Sequence, residues 1–471
     1  MRIPAAGFLL IVAASVATAE DAHAGDPAAY PTGAVNTSTT IDWREFLRNP
    51  RGNADAADEA GSRYRTLVEA LDNASYAEAE VVAKQMVDET VSESGYTAQA
   101  ATSALVNLAV VQFLAADHDA ARLNFATSVE RIEERNDRLS EELILPLRGL
   151  AATYAASGQP VEAARGLERA LHISNVNAGP HSRGQLPILQ SLIDLSLDQG
   201  DAGTALSLLD RVYLIEVREN TPESDALLPM LYYKAGVEAR LGLEAEERNS
   251  YRQIIDITRR TRGKDDVSLV DPYLRMAKTF VYDLDEPVFR SLPTAPTAEW
   301  YLRQALDIAE TSPQSDTPTR NRCLLMLADY YTVVGNYARA NALYEQAWTL
   351  LSANEEDLPV RQQSLEVNLP LLQRRPGEYA DFAYGSDIRE TDRADLLTGH
   401  VTVTYSIDEH GQSRDVEVAD ADPAGFGPME IRVRQAVKSF VFRPRYADGR
   451  AVSTGDLSYR HEYFYRLSDL D

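Results

Sequence analysis

Histidine, cysteine and carboxylate side chains carry most enzymatic and metal chemistry, and in this chain their spacing fits no known arrangement. The single cysteine, Cys323, excludes an intramolecular disulfide and all-cysteine metal sites. No His-Glu-x-x-His, Gly-x-Ser-x-Gly, phosphate-loop or dinucleotide motif occurs. The seven histidines include no pair spaced i, i+4 and stand at positions 23, 118, 172, 181, 400, 410 and 461. We therefore predict a non-enzymatic protein with no catalytic residue, no metal and no cofactor.

The charge of the chain disfavours nucleic acid as a partner. Its 471 residues include 72 acidic and 46 basic side chains, a net charge of −26, whereas binding to phosphates requires cationic surface. The acidic residues are unevenly distributed. Residues 20–398 include 60 acidic and 36 basic side chains, whereas residues 399–467 include ten acidic and nine basic ones. Hydrophobic residues make up 44%, which is typical of a folded protein.

The N-terminus has the pattern of a secretory signal peptide over residues 1–19. Arg2 precedes an apolar run from Ala5 to Ala17, and Ala17-Thr18-Ala19 gives a small-x-small cleavage site. A second such site, Ala22-His23-Ala24, leaves the position of the cut open. We expect an exported, periplasmic chain cleaved near Ala19; the alternative is an uncleaved inner-membrane anchor, although a span requires roughly 20 apolar residues. Residues 20–58 are predicted to be a flexible leader.

A helical period with internal repeats extends over residues 59–355. Short turns recur at steps of 42, 41, 42, 42 and 93 residues, at Ser75, Asp117, Gly158, Gly200, Gly242 and Gly335. The last step equals about two periods and contains a Pro-rich stretch near 283–297. We predict about seven helical pairs, with an insertion in the sixth.

The same side-chain pattern flanks each turn. Its clearest copy comprises Leu327, Ala328, Tyr331, Gly335, Tyr337, Ala340, Tyr344 and Ala347. This pattern resembles the tetratricopeptide-repeat (TPR) family, and the period of about 42 is similar to its long, kinesin-light-chain type rather than to the usual repeat of about 34 residues. The resemblance implies a solenoid whose first helices form a groove for an extended peptide or a partner helix. Candidate polar residues of that groove, each of which fits an ordinary solvated face as well, are Asn107, Arg148, Asp194, Lys234 and Arg322.

The pattern changes after a polar linker predicted over residues 356–375. Val401 to Ile407 alternate apolar and polar residues, which predicts a strand, and a hairpin turn ends at Gly411. A second strand, a helix near Pro428 and a closing strand follow, giving the order β-β-α-β. The expected fold class is therefore mainly α, a helical-repeat solenoid followed by a small α+β domain.

Residues 376–467 resemble the C-terminal domain of the TonB family of periplasmic energy transducers. The resemblance rests on the spacing of Gly399, Val401, Val403, Tyr405, Ile407, Asp408 and Gly411, on Phe442-Arg443-Pro444, on Asp448-Gly449, and on a lead-in at Pro376-Gly377-Glu378-Tyr379. It implies that the closing strand, Leu457 to Tyr465, is a sheet edge that pairs with an extended segment of an outer-membrane receptor. The candidate residues are Tyr459, His461, Tyr463 and Tyr465, with Arg460, Glu462 and Phe464 on the opposite side. In the alternative interpretation the tyrosines pack on the helix and the edge is covered or blunted by charge.

These features together predict a non-catalytic periplasmic scaffold that binds protein or peptide partners, with no nucleic acid and no small-molecule substrate. Two alternatives remain open. One is a membrane-anchored energy transducer for receptor-mediated transport, which would lack the usual Pro-rich spacer. The other is an envelope enzyme with an unrecognised site.

Overall fold

A computed structural model describes residues 41–50, 59–281, 297–373 and 397–466, with only the backbone described at 59–61 and 281. The predicted signal peptide, the remainder of the predicted leader, most of the insertion and the lead-in at Pro376 lie outside the described residues. Among the described helices, none combines the length and the apolar character needed to cross a membrane. The chain divides into one unit that ends at Ser250 and another that begins at Tyr251.

The described part of the first unit consists of helices and the loops between them. Its short first helix and the following long ones are α1 (Trp43–Phe46), α2 (Glu59–Asp72), α3 (Tyr76–Ser94), α4 (Gln99–Leu114), α5 (His118–Arg135), α6 (Ile144–Ala156), α7 (Pro160–Ala178), α8 (Leu186–Asp198), α9 (Ala202–Glu219), α10 (Leu228–Arg240) and α11 (Glu244–Thr261), the last of which continues into the second unit. From α2 onward they form consecutive pairs. In the third and fourth pairs the first helix has 13 residues and the second has 18 or 19, so the long period is carried largely by the second helix.

The described turns within the pairs place one residue in the left-handed region of the backbone. Gly158, Gly200 and Gly242 take it with φ between 68° and 74°, where glycine has no steric penalty. In the first two pairs the same role falls to Ala74 and Ala116, with φ of 52° and 61°. The turns predicted from the sequence are therefore confirmed in position, although not every one depends on glycine.

The second unit continues the pairs and adds a strand-rich region. Its further helices are α12 (Val270–Val281), α13 (Ala298–Thr311), α14 (Thr317–Val333), α15 (Tyr337–Leu351), α16 (Leu358–Ser364) and α17 (Gly427–Lys438). In chain order α2 to α15 make seven pairs in the described residues, as the repeat count predicts. The sixth pair, α12 and α13, flanks the segment where the insertion is expected.

In the part of the second unit that the structure describes, the strands form three small antiparallel sheets. They are β1 (Pro370–Leu372), β2 (Leu397–Ile407), β3 (Ser413–Asp422), β4 (Val441–Phe442), β5 (Arg445–Ala447), β6 (Arg450–Val452) and β7 (Thr454–Tyr465). The main sheet has the order β3-β2-β7, while β1 pairs with β4 and β5 pairs with β6. The helix α17 packs its buried Met429, Val433 and Val437 against the main sheet. The predicted fold class, a mainly α repeat followed by a small α+β region, is confirmed.

Two stretches differ from the sequence expectation. Residues 356–375 do not form a plain linker in their described part, because they contain α16 and the strand β1, and Pro370 of β1 pairs with Phe442. Residues 41–50 of the predicted leader include α1, and Ile41, Phe46 and Leu47 are buried. Both stretches are held by partners distant in sequence, which a local pattern does not reveal.

Candidate protein-binding site

The strand β7 forms one edge of the main sheet, and within the described residues β2 is its only strand neighbour. The register is unbroken from Leu397 opposite Tyr465 to Tyr405 opposite Leu457. It shifts only beyond that point, where Asp456 takes a φ of 56°. The regular part of the edge therefore coincides with the closing strand predicted from the sequence, Leu457 to Tyr465.

Side chains of β7 alternate between the core and solvent. Tyr463 and Tyr465 are buried and contact Phe426, while Tyr459 and His461 are partly covered. Burial raises the pKa of Tyr463 to about 12. The tyrosines lie on one side as predicted, but this side faces α17 and the core, so their rings are not a free contact surface.

The opposite side of β7 is open to solvent. Arg460 and Glu462 lie 3.4 Å apart with more than half of each side chain exposed, and Phe464 is 42% exposed. These three are the predicted site residues whose side chains a partner can reach directly.

The direction of the β7 backbone follows from the β2–β3 hairpin. The Asp408 N–H donates to the Gln412 carbonyl at 3.0 Å, so Asp408 directs its backbone toward β3. In a central antiparallel strand, the backbone N–H and C=O groups of successive residues point to the two neighbouring strands in turn. The extra residue at each register shift lies on β3 or β7, so this alternation continues unbroken along β2. Even-numbered residues of β2 therefore face β3. Because Glu462 is opposite His400, its own N–H and C=O point away from β2, toward the outer edge.

The other edge of the sheet, β3, is less regular. Its pairing with β2 shifts twice, and Asp415 has a φ of 51°. Its acidic residues include Asp420, which is 2.8 Å from the His400 ring; this hydrogen bond lowers the pKa of Asp420. Bulges and charge are the usual protections of a sheet edge, so β7 is the edge better suited to pairing.

A buried ion pair fixes the strand-rich region to the last helical pair within the second unit. Arg443 donates from Nε and Nη2 to both oxygens of Asp329, at 2.8 and 2.6 Å, and from Nη1 to the Ser364 carbonyl at 2.9 Å. Tyr344 of α15 donates its hydroxyl to the same carboxylate at 2.8 Å. Burial lowers the pKa of Arg443, but the contacts with Asp329 and Tyr344 together raise it above its ordinary value, so the guanidinium stays charged.

Ring contacts surround this ion pair. Tyr446 packs on Tyr344 and Trp348, with ring centres 5.7 and 6.3 Å apart, and the hairpin residue His410 stacks on Tyr337 at 4.6 Å. The strand-rich region therefore has a defined position on α14 and α15. Neither the motif Phe442-Arg443-Pro444 nor the repeat pattern indicates this contact in the sequence.

Three of the five predicted groove residues pair with other side chains of their own unit. Asp194 accepts from Arg240, and Lys234 contacts Glu238 and lies 3.3 Å from the Ser250 hydroxyl. Arg322 lies 3.4 Å from Asp271. Each charge therefore has a local partner, and these three residues are not brought together into one site.

Asn107 and Arg148, the other two, contact residues 45–48 of the same chain. The Asn107 side chain accepts from the Arg48 N–H at 3.1 Å and donates to the Arg48 carbonyl at 2.8 Å. Arg148 donates to Glu45 at 2.8 Å. The apolar and aromatic residues within the otherwise polar leader, Ile41, Trp43, Phe46 and Leu47, are the sequence signal that could have indicated this segment.

Residues that suggested chemistry are dispersed in the structure. His400, His410 and His461 contact Asp420, Tyr337 and Tyr463 respectively. In the described ranges no group of three or more His, Cys, Asp or Glu side chains is placed to hold a metal ion. Cys323 is fully buried, and burial raises the pKa of its thiol to about 12, which makes it a weak nucleophile near neutral pH.

The geometry defines a class: a helical-repeat protein with a small strand-rich C-terminal region. No protein-family model matches the chain, and no curated protein matches it significantly. Among solved structures it is similar to a Podosopora anserina protein described as a kinesin light chain with nearly identical TPR-like repeats, at 18% identity and a TM-score of 0.39, over 45% of this chain and 99% of that one. It is also similar to the C-terminal part of a TPR repeat-containing protein from Cytophaga hutchinsonii, at 13% identity and a TM-score of 0.41, over 63% of this chain and 98% of that one.

Proposed function

We infer that the protein is a non-catalytic, periplasmic protein-binding scaffold that binds an extended segment of an envelope partner along the outer edge of β7. The observation that carries this proposal is the regular outer edge over Leu457 to Tyr465, where Glu462 directs its backbone groups away from β2. An added strand satisfies such groups by main-chain hydrogen bonds, and alternate side chains give selectivity.

The surroundings of β7 define what an added strand meets. An added strand would have one face on the same side of the sheet as Tyr459, Tyr463 and α17. Apolar side chains of the partner are favoured on that face. The other face lies beside Arg460, Glu462 and Phe464. We therefore expect a partner segment that alternates apolar residues with polar or aromatic ones.

The structure also supports a scaffold role for the strand-rich region. Arg443 and Asp329 fix it on α14 and α15, so a segment bound at β7 is held at a defined place on the last helical pair. A strand-rich region with a fixed position favours binding, because less conformational entropy is lost when the complex forms.

The test is a matched pair of substitutions at one exposed edge position. Glu462→Pro removes an N–H that faces outward and leaves the β2 ladder intact, a placement that edge strands tolerate. A photo-crosslinking residue at Phe464 first identifies the partner segment in an envelope extract, and its synthetic peptide is then titrated into each full chain. We expect Glu462→Pro to weaken peptide binding by about tenfold or more, and Glu462→Ala to leave it nearly unchanged. Equal binding by both variants, with circular dichroism unchanged, would refute strand addition.

The periplasmic location has its own test. N-terminal sequencing of the mature protein should begin after Ala19 or Ala24. A chain that begins at Met1 would instead support the anchored energy transducer.

A further inference from the structure

Residues 41–48 lie against the first helices of the second and third pairs, α4 and α6. Ile41 and Phe46 are 6% and 3% exposed and share one apolar cluster with Val106, Ala109, Val110 and Phe113 of α4 and Ala152 of α6. Leu47 joins the neighbouring cluster of the first two pairs. We call this surface of α4 and α6 the first-helix face.

The polar contacts of the segment are those of a bound peptide. Asn107, itself 1% exposed, hydrogen-bonds to both the N–H and the carbonyl of Arg48. Because both bonds are to the main chain, they do not depend on which side chain the peptide carries at that position. Arg148 supplies one specific contact: it donates to the Glu45 carboxylate at 2.8 Å while its guanidinium lies 5.0 Å from the centre of the Phe46 ring. Together they select a carboxylate that is followed directly by an aromatic residue.

Helix α4 is built to be covered at this place. Twelve of its sixteen residues are buried, on every side of the helix, and a helix that is apolar all round is expected only where all its sides are packed. The first helices α8 and α10 differ, since they carry the charged Asp194 and Lys234, each with its own ion-pair partner.

The side-chain hydrogen bonds within the segment are few: Asp42 accepts from the Arg44 N–H, and Arg48 donates to the Glu45 and Leu47 carbonyls. Its helix α1 has four residues, far below the length at which an isolated helix is stable. The Arg44–Asp72 pair is exposed on both sides. The conformation therefore depends on the first-helix face, and another segment with the same chemistry supplies the same contacts.

We propose that the first-helix face of α4 and α6 is a peptide-binding site that residues 41–48 occupy in cis, and that a partner segment with the order acidic, aromatic, leucine displaces them. The ligand class is defined by Glu45-Phe46-Leu47: a carboxylate for Arg148, an aromatic ring for the α4 cluster, and a main chain for Asn107. This site is separate from β7 and does not depend on strand addition.

The experiment uses the full chain and a fluorescent peptide of sequence 41–50. The double variant Glu45→Ala/Phe46→Ala weakens the cis ligand and leaves the site intact, so it should bind the peptide about tenfold more tightly than the wild type does. Adding Asn107→Ala to the double variant should abolish this gain, as should replacing the phenylalanine of the peptide with alanine. Arg44→Ala, which removes the exposed pair with Asp72 and the contact of Arg44 with the Trp43 ring but no contact with α4 or α6, is the control and should bind as weakly as the wild type.

A double variant that binds the peptide no better than wild type, with unchanged circular dichroism, would overturn the proposal. If the double variant loses its fold, Glu45→Gln decides the matter, because it removes the Arg148 ion pair and keeps Phe46. Tighter peptide binding by Glu45→Gln than by the wild type supports the site, and equal binding refutes it. None of these outcomes depends on β7, whose binding is tested by Glu462→Pro.

Discussion

Arg443 shows how one residue determines the position of a whole region. Its guanidinium is buried and reaches both oxygens of Asp329 and the end of α16. A buried ion pair gains little over an apolar pair of the same shape, but removing one member leaves the other charged and without its partner. The contact therefore specifies where the strand-rich region lies more than it adds net stability.

Arg443→Met should destabilise the second unit by about 3–5 kcal/mol, because Asp329 keeps its buried charge. Urea unfolding followed by the fluorescence of Trp348, which lies beside Tyr446, measures the effect. Arg443→Met/Asp329→Leu should recover much of the loss, since both charges are gone. Arg450→Met, at an exposed position, is the control; a similar loss there would contradict the assignment.

At the scale of elements, the β2–β3 hairpin is joined to β4 through Gly411. Gly411 has a φ of 78°, and its carbonyl accepts from the Phe442 N–H at 2.8 Å. A Cβ at this position would lie 1.8 Å from the Phe442 carbonyl oxygen. The hairpin tip and β4 therefore approach each other as closely as only glycine permits.

Gly411→Ala should lower the free energy of unfolding by about 2–4 kcal/mol, from the left-handed backbone and the clash together. Thermal unfolding monitored by circular dichroism measures it. Gly455→Ala is the matched control, because its Cβ would meet no atom within 4 Å and its backbone is not left-handed. Equal stability of the two variants would show that the approach to Phe442 relaxes without cost.

The regular elements could be predicted from sequence because each has a local signal. The turn spacing gave seven pairs, and the alternation from Val401 to Ile407 gave β2. The short strands β1 and β4 have no such signal, since Pro370 is fixed by its pairing with Phe442, far along the chain. Tyr463 was assigned to the correct strand, but sequence alone did not decide whether its ring faces a partner or the core.

For the molecule as a whole, the dominant quantity is a net charge of −26. The acid resides in residues 20–398, with net −24, whereas residues 399–467 are nearly balanced. Like charges on a folded chain repel and oppose the compact state, and salt screens that repulsion. Exposed ion pairs such as Arg44–Asp72 lose stability in salt as well, but each contributes only about 0–1 kcal/mol.

Raising NaCl from low ionic strength toward 0.3 M, approximately the point at which exposed charges interact only at short range, should increase the Tm. We expect a rise of about 2–4 °C, which corresponds to about 1 kcal/mol for units of this size. Differential scanning calorimetry across the salt series measures it. A falling Tm would mean that ion pairs outweigh net repulsion.

The groove residues chosen from sequence have two different surroundings in the structure. Asn107 and Arg148 contact Arg48 and Glu45 of the same chain. Asp194 and Lys234 carry the same polar signal and are ordinary ion-paired residues. A single sequence does not separate the two cases, because the ligand, Glu45-Phe46-Leu47, lies more than 50 residues from its receptor.

The covalent attachment of residues 41–48 to their own site sets a threshold for any competitor. A tethered ligand is present at an effective concentration that the length and geometry of its connection set, however dilute the protein is. A free peptide with the same contacts must exceed that concentration to displace it, whereas a partner that binds a second surface at the same time need not. The first-helix face should therefore bind free peptides weakly and bind partners that contact the protein at a second surface more strongly.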